Sequence, residues 1–129
     1  MKFYVAGKWQ ERLDVQTLQH ALIELGHEIS LDWTYHTEAD EGFPLSYSVE
    51  DIEGVRKCDV YVGRFLNNHN YKGALVEMGA ALALNKIVCI IGRAIDSCLF
   101  AHHPFVMQFE TQQDFLDLVG TDDIMKMDI

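Results

Sequence analysis

Residues 58–92 of the chain are CDVYVGRFLNNHNYKGALVEMGAALALNKIVCIIG. Two largely apolar runs, Cys58–Phe65 and Lys86–Gly92, flank the helical pattern Gly73–Leu84, and the polar loop Leu66–Lys72 precedes that helix. A strand, a helix and a second strand within about 30 residues indicate a βαβ unit, whose two strands are parallel. Lys86–Gly92 is apolar almost throughout, which is typical of a central strand that helices cover on both faces.

The same alternation continues on both sides of this segment. The pattern predicts strands at Lys2–Ala6, His27–Trp33 and Phe105–Phe109, and helices at Asp14–Leu25 (closed by Gly26), Ser48–Lys57 and Gln112–Val119. We therefore expect one domain over residues 1–129, a flavodoxin-like (Rossmann-like) α/β three-layer sandwich with about five parallel strands. Ligands of such folds bind beyond the carboxyl ends of the strands, which here are the loops after Ala6, Trp33, Phe65 and Gly92.

Composition limits the classes of partner. The chain has 129 residues, is 49% hydrophobic and carries a formal net charge of −10, with its ten Lys and Arg residues scattered. Such a surface does not suit nucleic acid, because no basic patch is available to neutralise a row of phosphates. No run approaches the roughly 20 apolar residues of a membrane span, and the start MKFYVAGKW lacks the features of a signal peptide. Three unpaired cysteines complete the expectation of a cytoplasmic protein without a membrane partner.

Cofactor motifs are missing from the sequence. Neither GxGxxG nor GxxxxGK[ST] occurs, so we expect no dinucleotide cofactor and no phosphate-binding loop of that kind. The six histidines do not fall at ligand spacing, and the neighbours His102 and His103 diverge in any regular structure. We therefore expect no metal site and no cofactor.

Glu77 is the one carboxylate within GALVEMGAALAL, residues 73–84. The positions three and four residues away on the helix hold small side chains, which leave room for a ligand: Gly73, Ala74, Ala80 and Ala81. Glu77 also lies in the early turns, where the helix dipole favours an ionised carboxylate. The alternative is an exposed Glu on a solvated face. The apolar remainder of the helix predicts burial on nearly every side and favours a functional role.

Other polar residues have competing structural explanations. Asp51 falls three residues after Ser48, where it would complete a capping box, and Asp59 opens a strand and could belong to a turn. After the first strand, Gly7 would allow close backbone approach and Trp9 could stack on a flat ring or simply pack.

The long polar segment Thr34–Tyr47 predicts either a lid or a solvated loop, with Trp33 or Phe43 against a ligand ring. His69 fits a loop surface better than a general base. Cys58 and Cys89 fit the core.

Three segments together resemble the nucleoside 2-deoxyribosyltransferase family, which also contains the 2′-deoxynucleoside 5′-monophosphate N-hydrolases. The first is Tyr4-Val5-Ala6-Gly7, continued as KWQER. The second is DIEGVRKCD, residues 51–59, with a helix-borne Asp eight residues before the Asp that opens the third strand. The third and most specific is GALVEMGAALALNK, residues 73–86, with the family's Gly-x-x-x-Glu-x-Gly helix.

The resemblance implies an enzyme that cleaves or transfers the N-glycosidic bond of a deoxynucleoside or deoxynucleotide. Glu77 then matches the nucleophile that forms a deoxyribosyl ester, Asp51 a carboxylate that handles sugar hydroxyls or the base proton, and Tyr4 the tyrosine that orients the nucleophile. The chemistry explains these residue types, because the leaving base needs a proton and the cationic sugar needs an anion. Gly7, Lys8, Trp9 and Gly73 are the expected substrate-binding residues beside them.

The chain departs from the family pattern at Tyr71. Six residues before the nucleophile, the transferases tend to carry an Asp that contacts the base, and the monophosphate hydrolases a Ser that contacts phosphate. KWQER is closer to the transferase sequence, although Lys8 could meet a phosphate. The resemblance also implies a homo-oligomer, a dimer or larger, in which Ser97 is a candidate contributor to a neighbouring subunit's site.

Several readings therefore stay open. Transfer to a free base and hydrolysis share the first half-reaction and differ only in what captures the sugar. A second hypothesis is a non-catalytic nucleotide-sensing module, for which Tyr71 is the best support. A receiver-type signalling domain fits less well, because Gly7 and Lys8 occupy the place of its acidic pair.

Overall fold

The computed structural model describes residues 1–36 and 44–121. Its strands are β1 (Lys2–Ala6), β2 (Glu28–Ile29), β3 (Val60–Arg64), β4 (Ile87–Ile91) and β5 (Val106–Phe109). Its helices are α1 (Arg12–Glu24), α2 (Ser46–Lys57), α3 (Lys72–Ala83) and α4 (Gln112–Gly120), with 3₁₀ turns at Trp9–Glu11, Trp33–Tyr35 and Leu99–His102. The strands form one parallel sheet in the order β2-β1-β3-β4-β5. Helices α1 and α4 pack together, as do α2 and α3, so the expected three-layer α/β sandwich is confirmed.

The middle strands are buried on both faces. Because side chains along a strand point alternately to the two faces of the sheet, two tyrosines of these strands point toward α3. Phe3 packs edge to face on Phe115 of α4, with ring centroids 6.3 Å apart. The next residue, Tyr4, therefore points to the opposite layer. Tyr4 lies beside Tyr61 of β3 in the sheet register, and the two rings stack at 6.3 Å. Both hydroxyls can thus reach the layer that contains α2 and α3.

The order of the strands creates a crevice. From β1, the chain passes first to β2 on one side and later to β3 on the other. The connections therefore leave the carboxyl ends of β1 and β3 in opposite directions, and the space between them is the usual place for a ligand.

Two predicted boundaries are wrong around residues 30–48. The strand expected at His27–Trp33 contains only Glu28–Ile29, because Trp33 turns inward and its indole N–H donates a 2.6 Å hydrogen bond to the carbonyl of Val5. Helix α2 begins at Ser46 rather than Ser48, so Asp51 does not complete a capping box; Ser48 Oγ instead donates to the carbonyl of Leu45 at 2.6 Å. Of the predicted Thr34–Tyr47 loop, residues 37–43, including Phe43, lie outside the described residues.

Helix α3 is less buried than its composition suggests. Ala74, Met78 and Ala81 face the core, but Val76 is 65% exposed and Gly79 is exposed beside it. The prediction that the helix is buried on nearly every side is therefore wrong for the isolated chain. None of the helices in residues 1–36 and 44–121 has the length and apolar content needed to cross a bilayer.

Candidate active site

A cavity of about 590 Å³ opens beyond the carboxyl ends of β1 and β3. Its walls come from the loop after β1, the segment between β2 and α2 with the first turns of α2, and the start of α3. The charged and aromatic side chains that line it include Lys8, Trp9, His36, Asp51, Tyr71 and Glu77. The loop after Gly92 was also expected at the site, but residues 93–105 do not line the cavity.

Tyr4 and Glu77 form the closest polar contact at the base of the cavity. The Tyr4 hydroxyl donates a 2.6 Å hydrogen bond to Oε2 of Glu77, and Glu77 lines the cavity. Tyr4 is completely buried in β1, while Glu77 lies in the second turn of α3. The contact orients one carboxylate oxygen and leaves the other without a constraint from Tyr4.

Packing around Tyr4 fixes this contact. A Cβ atom at Gly54 of α2 would lie 2.7 Å from Leu31 Cβ and 3.0 Å from Tyr4 Cε2, so glycine allows α2 to lie directly on the tyrosine ring. On the other side, the buried hydroxyl of Tyr61 donates to the carbonyl of Ala74 at 2.6 Å and ties the first turn of α3 to β3. Tyr4 and Glu77 are therefore held by elements that are themselves fixed.

Asp51 enters the cavity from α2 and meets His36. The imidazole of His36 stacks on Tyr47 with ring centroids 3.8 Å apart, and its Nε2 lies 3.5 Å from Glu50 Oε2 and 3.8 Å from Asp51 Oδ1. Asp51 Oδ1 is buried and accepts no hydrogen bond from residues 1–36 or 44–121. The imidazole is thus the nearest described charge partner of this oxygen at ion-pair distance.

Burial shifts the proton equilibria of both carboxylates. It raises the pKa of Glu77 to about 8; the hydrogen bond from Tyr4 lowers this pKa, and the Asp51 charge raises it. Burial also raises the pKa of Asp51 to about 6, with the His36 charge lowering it and Glu50 raising it. Burial and the Glu77 charge raise the pKa of Tyr4 far above its ordinary value, so Tyr4 remains a hydrogen-bond donor.

Tyr71, at the family's base-contacting or phosphate-contacting position, is turned into the protein. It is 3% exposed, and its hydroxyl donates a 2.8 Å hydrogen bond to Glu11 Oε1. Burial and this hydrogen bond raise the pKa of Tyr71 to about 12. The residue lines the cavity, but its hydroxyl hydrogen is already engaged by Glu11.

The loop after β1 and two glycines also line the cavity. Gly7, Lys8 and Trp9 all line the cavity, and Lys8 Nζ donates to the carbonyl of Asn70 at 2.7 Å. One face of Trp9 carries the guanidinium of Arg12 at 4.3 Å. A Cβ atom at Gly7 would approach Val15 Cγ2 to 2.9 Å, whereas one at Gly73 would meet nothing within 4 Å. Gly7 therefore serves packing, and Gly73 leaves open space beside Glu77.

Other sequence candidates lie elsewhere. Ser97 is exposed in the segment after β4 and does not line the cavity. His69 is exposed, 6.0 Å from the Tyr71 ring, and the backbone N–H of Lys2 donates to Asp59 at 2.8 Å, which is a structural role. Within the described ranges, no group of three or more His, Cys, Asp or Glu side chains could hold a metal ion.

Sequence reasoning missed His36, Tyr47 and Glu11. His36 and Tyr47 meet through a ring stack between segments 11 residues apart, and Glu11 meets Tyr71 across 60 residues. The available signals were weak: a histidine beside an aromatic segment, and an acidic residue close after the first strand.

These residues together are suited to a group transfer in two steps, through a covalent intermediate. A buried carboxylate is oriented by a phenol, and a second carboxylate with a raised pKa faces the same space. Environments that separate the pKa values of two carboxylates allow one to act as a nucleophile and the other to exchange a proton.

The chain matches no protein-family model and no curated protein sequence. It is similar to solved structures. The 2-deoxyribosyltransferase of Bacillus psychrosaccharolyticus has a TM-score of 0.73 at 20% identity, with 100% of this chain and 97% of that chain covered. The CMP N-glycosidase of Clostridium botulinum has a TM-score of 0.62 at 16% identity, with 94% and 99% covered.

A third similar structure is the 2-desoxiribosyltransferase of Leishmania mexicana, with a TM-score of 0.54 at 17% identity and 70% and 63% of the two chains covered. The resemblance inferred from the three sequence segments is therefore confirmed at the level of the fold. The chain has the fold of these N-glycosidic-bond enzymes.

Proposed function

We propose that the chain is a member of the nucleoside 2-deoxyribosyltransferase family and cleaves the N-glycosidic bond of 2′-deoxynucleosides. The observation that carries this proposal is the 2.6 Å hydrogen bond from Tyr4 to Glu77 at the base of a cavity that Asp51 also enters. A buried carboxylate fixed in this way suits attack on a sugar carbon whose positive charge grows as the base leaves.

In the first step, the oxygen of Glu77 that Tyr4 does not bind attacks the anomeric carbon. The carbon–oxygen bond forms as the carbon–nitrogen bond to the base breaks, and the bonding electrons stay with the base. Between pH 6 and pH 8 the two carboxyls together hold one proton, mainly on Glu77, whose pKa is about 8 against about 6 for Asp51. The reacting form is the minority one in which Glu77 is ionised and the proton lies on Asp51, which gives it to the departing nitrogen. The product is a deoxyribosyl ester on Glu77 and a neutral free base.

In the second step, water or another base attacks the same carbon. The ester bond breaks, Glu77 is released as a carboxylate, and Asp51 takes up the proton of the incoming group. Tyr4 stays protonated throughout, because its pKa is far above the ordinary value. Water capture gives hydrolysis and base capture gives transfer, so the two activities need the same three residues.

The walls of the cavity suit a flat base. Trp9, Trp33 and Tyr71 line it, and its volume of about 590 Å³ is in the range of small-molecule sites. Aromatic walls contact the face or edge of any base and therefore support a nucleoside substrate without fixing which base it carries.

A 5′-monophosphate substrate is the second candidate, favoured by two cations on the cavity wall. Lys8 and Lys72 both line the cavity, and Lys72 is the first residue of α3, where the helix dipole adds positive potential. The similar fold of a CMP N-glycosidase is consistent with this candidate. Of the three nitrogen-bound hydrogens of Lys8, the contact with Asn70 uses one.

We further propose a homo-oligomer, a dimer or larger, that completes the site. Exposed apolar residues include Val49 of α2, Val76 of α3, and Leu99 and Phe100 shortly after Ser97. A cavity open to solvent needs a further wall to exclude water, and a neighbouring subunit could supply Ser97 for that purpose. We also propose a role in nucleotide salvage, and the cytoplasmic location expected from the sequence stays a prediction.

The test is base release from a panel of deoxynucleosides, their ribonucleoside counterparts, their 5′-monophosphates and CMP, each with and without a second free base. We expect release from deoxynucleosides, and a slower rate for ribonucleosides, because a 2′-hydroxyl left unpaired beside two carboxylates costs about 1–3 kcal/mol. A new nucleoside in the presence of the second base identifies transfer. Binding across the panel without any base release would identify a sensing module and contradict the proposal.

A further inference from the structure

Among residues 1–36 and 44–121, Glu11 is the charged residue with the smallest exposed fraction, 7%. It ends the 3₁₀ turn Trp9–Glu11, directly after residues that line the cavity, but it does not line the cavity itself. A carboxylate is buried at this depth only when its oxygens are paired, so its partners indicate what it holds in place.

Three donors from the end of β3 and the loop after it meet this carboxylate. Oε1 accepts the 2.8 Å hydrogen bond from the Tyr71 hydroxyl. Oε2 accepts from the side-chain amide of Asn67 and lies 3.4 Å from the guanidinium of Arg64. The backbone N–H of Asn67 in turn donates to the Tyr71 hydroxyl at 3.2 Å. The carboxylate and its three partners form one closed set of contacts.

These contacts tie together the loops that follow the neighbouring strands β1 and β3, both of which contribute to the cavity wall. Residues 65–71 connect β3 to α3, and Asn70 and Tyr71 of this loop line the cavity. Glu11 attaches the loop at Asn67 and Tyr71, and Lys8 attaches it at the carbonyl of Asn70. Residues 66–70 are themselves exposed, so these polar contacts, and not burial of their own side chains, hold them.

We propose that Glu11 is a positioning residue: acting through Tyr71 and Asn67, it fixes residues 65–71 as the wall against which a bound nucleoside lies. The inference rests on the proposed function for the identity of the ligand, but the attachment of the loop does not. Glu11 touches no ligand atom and takes no part in bond breaking.

This role has a kinetic signature. The wall contacts the nucleoside both before and during the reaction, so loosening it weakens ground-state and transition-state binding together. KM should rise while kcat stays nearly constant. A merely structural contact would instead lower the melting temperature and the fraction of active protein, with KM unchanged.

Tyr71→Phe and Glu11→Gln test the proposal by removing either partner of the hydrogen bond between these two residues. Tyr71→Phe removes the hydroxyl and keeps the ring. Glu11→Gln keeps the size of the side chain but replaces one accepting oxygen with an NH2 group, which faces the three donors of the wild-type contact. Well below the melting temperature, we expect each to raise KM about three- to tenfold, as the loss of one hydrogen bond does, with kcat within about threefold. In the double variant the two effects should not add, because they break the same contact.

Tyr35→Phe and Glu24→Gln are the matched controls, because both residues are exposed and neither lines the cavity. Amide hydrogen exchange of residues 65–71 supplies a readout that needs no substrate, and it should quicken in Tyr71→Phe and Glu11→Gln only. If wild-type protein releases no base, the proposed function fails, while faster exchange would still support the attachment by Glu11. Unchanged exchange in both variants, or unchanged KM with lowered kcat, would overturn the inference.

Discussion

The hydroxyl of Tyr4 lies 2.6 Å from Oε2 of Glu77 and joins the first strand to the third helix across 73 residues. Two features of this contact matter for chemistry. It places a carboxylate where burial raises its pKa, and it gives that carboxylate a donor that stays protonated. An ordinary surface Glu has neither feature, so substitutions at Glu77 should change activity and the pH dependence of stability in ways that a surface Glu would not.

Glu77→Gln should abolish activity without unfolding the protein. The substitution keeps the size of the side chain, and the amide oxygen can still accept from Tyr4, but the anion that attacks the sugar is gone. Base release should fall by several orders of magnitude, because the covalent route is closed. The matched control is Glu24→Gln on the exposed end of α1, which should keep the wild-type rate.

A Glu77→Gln variant that melts normally and keeps more than about a tenth of the wild-type rate, a barrier change below ~1.4 kcal/mol, would show that Glu77 is not the nucleophile. Mass spectrometry with a 2-fluoro-2-deoxy nucleoside analogue gives an independent answer. The trapped sugar should map to α3.

The same substitution should change how stability depends on pH. The folded-state pKa of Glu77 is about 8 against an ordinary value of 4.5, so the folded protein binds more protons than the unfolded chain between these values. The contribution of Glu77 to stability is therefore fully present below about pH 4.5 and is lost as the pH rises toward 8. Glu77→Gln removes this loss, on the order of a few kcal/mol.

Thermal melts of both proteins from pH 5 to pH 9 measure the difference. We expect the variant to gain on the wild type steadily as the pH rises. Parallel curves would mean that Glu77 titrates in the folded protein as it does in the unfolded chain.

Much of this fold could be predicted from the sequence, because the information is local. Apolar runs and helical spacing located the strands and helices to within a few residues. Of the four small residues around Glu77, Gly73 and Ala74 line the cavity, whereas Ala81 faces the core. The resemblance of three segments then supplied roles for Tyr4 and Asp51, which no periodicity could supply.

The errors arise where distant contacts decide the local structure. Residues 30–33 leave the sheet edge because Ser30 donates to the carbonyl of Gly54 and Trp33 to that of Val5. Helix α2 starts early, so the capping-box pattern at Ser48 and Asp51 is a false signal. The contact of Glu11 with Tyr71 depends on the path of two loops, and neither residue shows it in the sequence.

The exposed apolar residues predict an oligomer in solution. Val76 is 65% exposed on α3, and Leu99 is 78% exposed near Ser97. Side chains of this kind commonly mark protein interfaces. Sedimentation at micromolar concentration should give at least twice the 14.8 kDa of one chain.

Val76→Glu or Leu99→Glu should dissociate the oligomer and lower activity, depending on which surface forms the interface. His20→Glu is the control, because it adds the same charge at an exposed polar residue of α1. A fully active species of only 14.8 kDa in the wild type would rule the oligomer out.

The contact between His36 and Asp51 predicts a specific change in the pH profile. Asp51 and Glu77 face one cavity and influence each other, so they titrate as a pair. With pKa values of about 6 and about 8, kcat/KM should follow a bell whose flanks lie near these values. Among the described residues, the charged groups near the pair are Glu50 and His36, with Lys8 and Lys72 elsewhere on the cavity wall. The phenol of Tyr4, which stays protonated, donates to Glu77.

His36→Gln should move the acid flank of this bell to higher pH. The positive charge of His36 lowers the pKa of Asp51, so its removal leaves burial and Glu50, which both raise it. Glu50→Gln removes one of those raising influences and should move the same flank the opposite way. An opposite charge at this distance shifts a carboxyl pKa by about one unit or more, which a pH–rate series resolves.

His20→Gln, on the exposed surface of α1, is the control and should leave both flanks in place. Carbon-13 NMR of the Asp51 carboxyl, assigned with Asp51→Asn, measures the same shift without turnover. If His36→Gln leaves both the acid flank and that resonance unchanged, the imidazole does not act on Asp51.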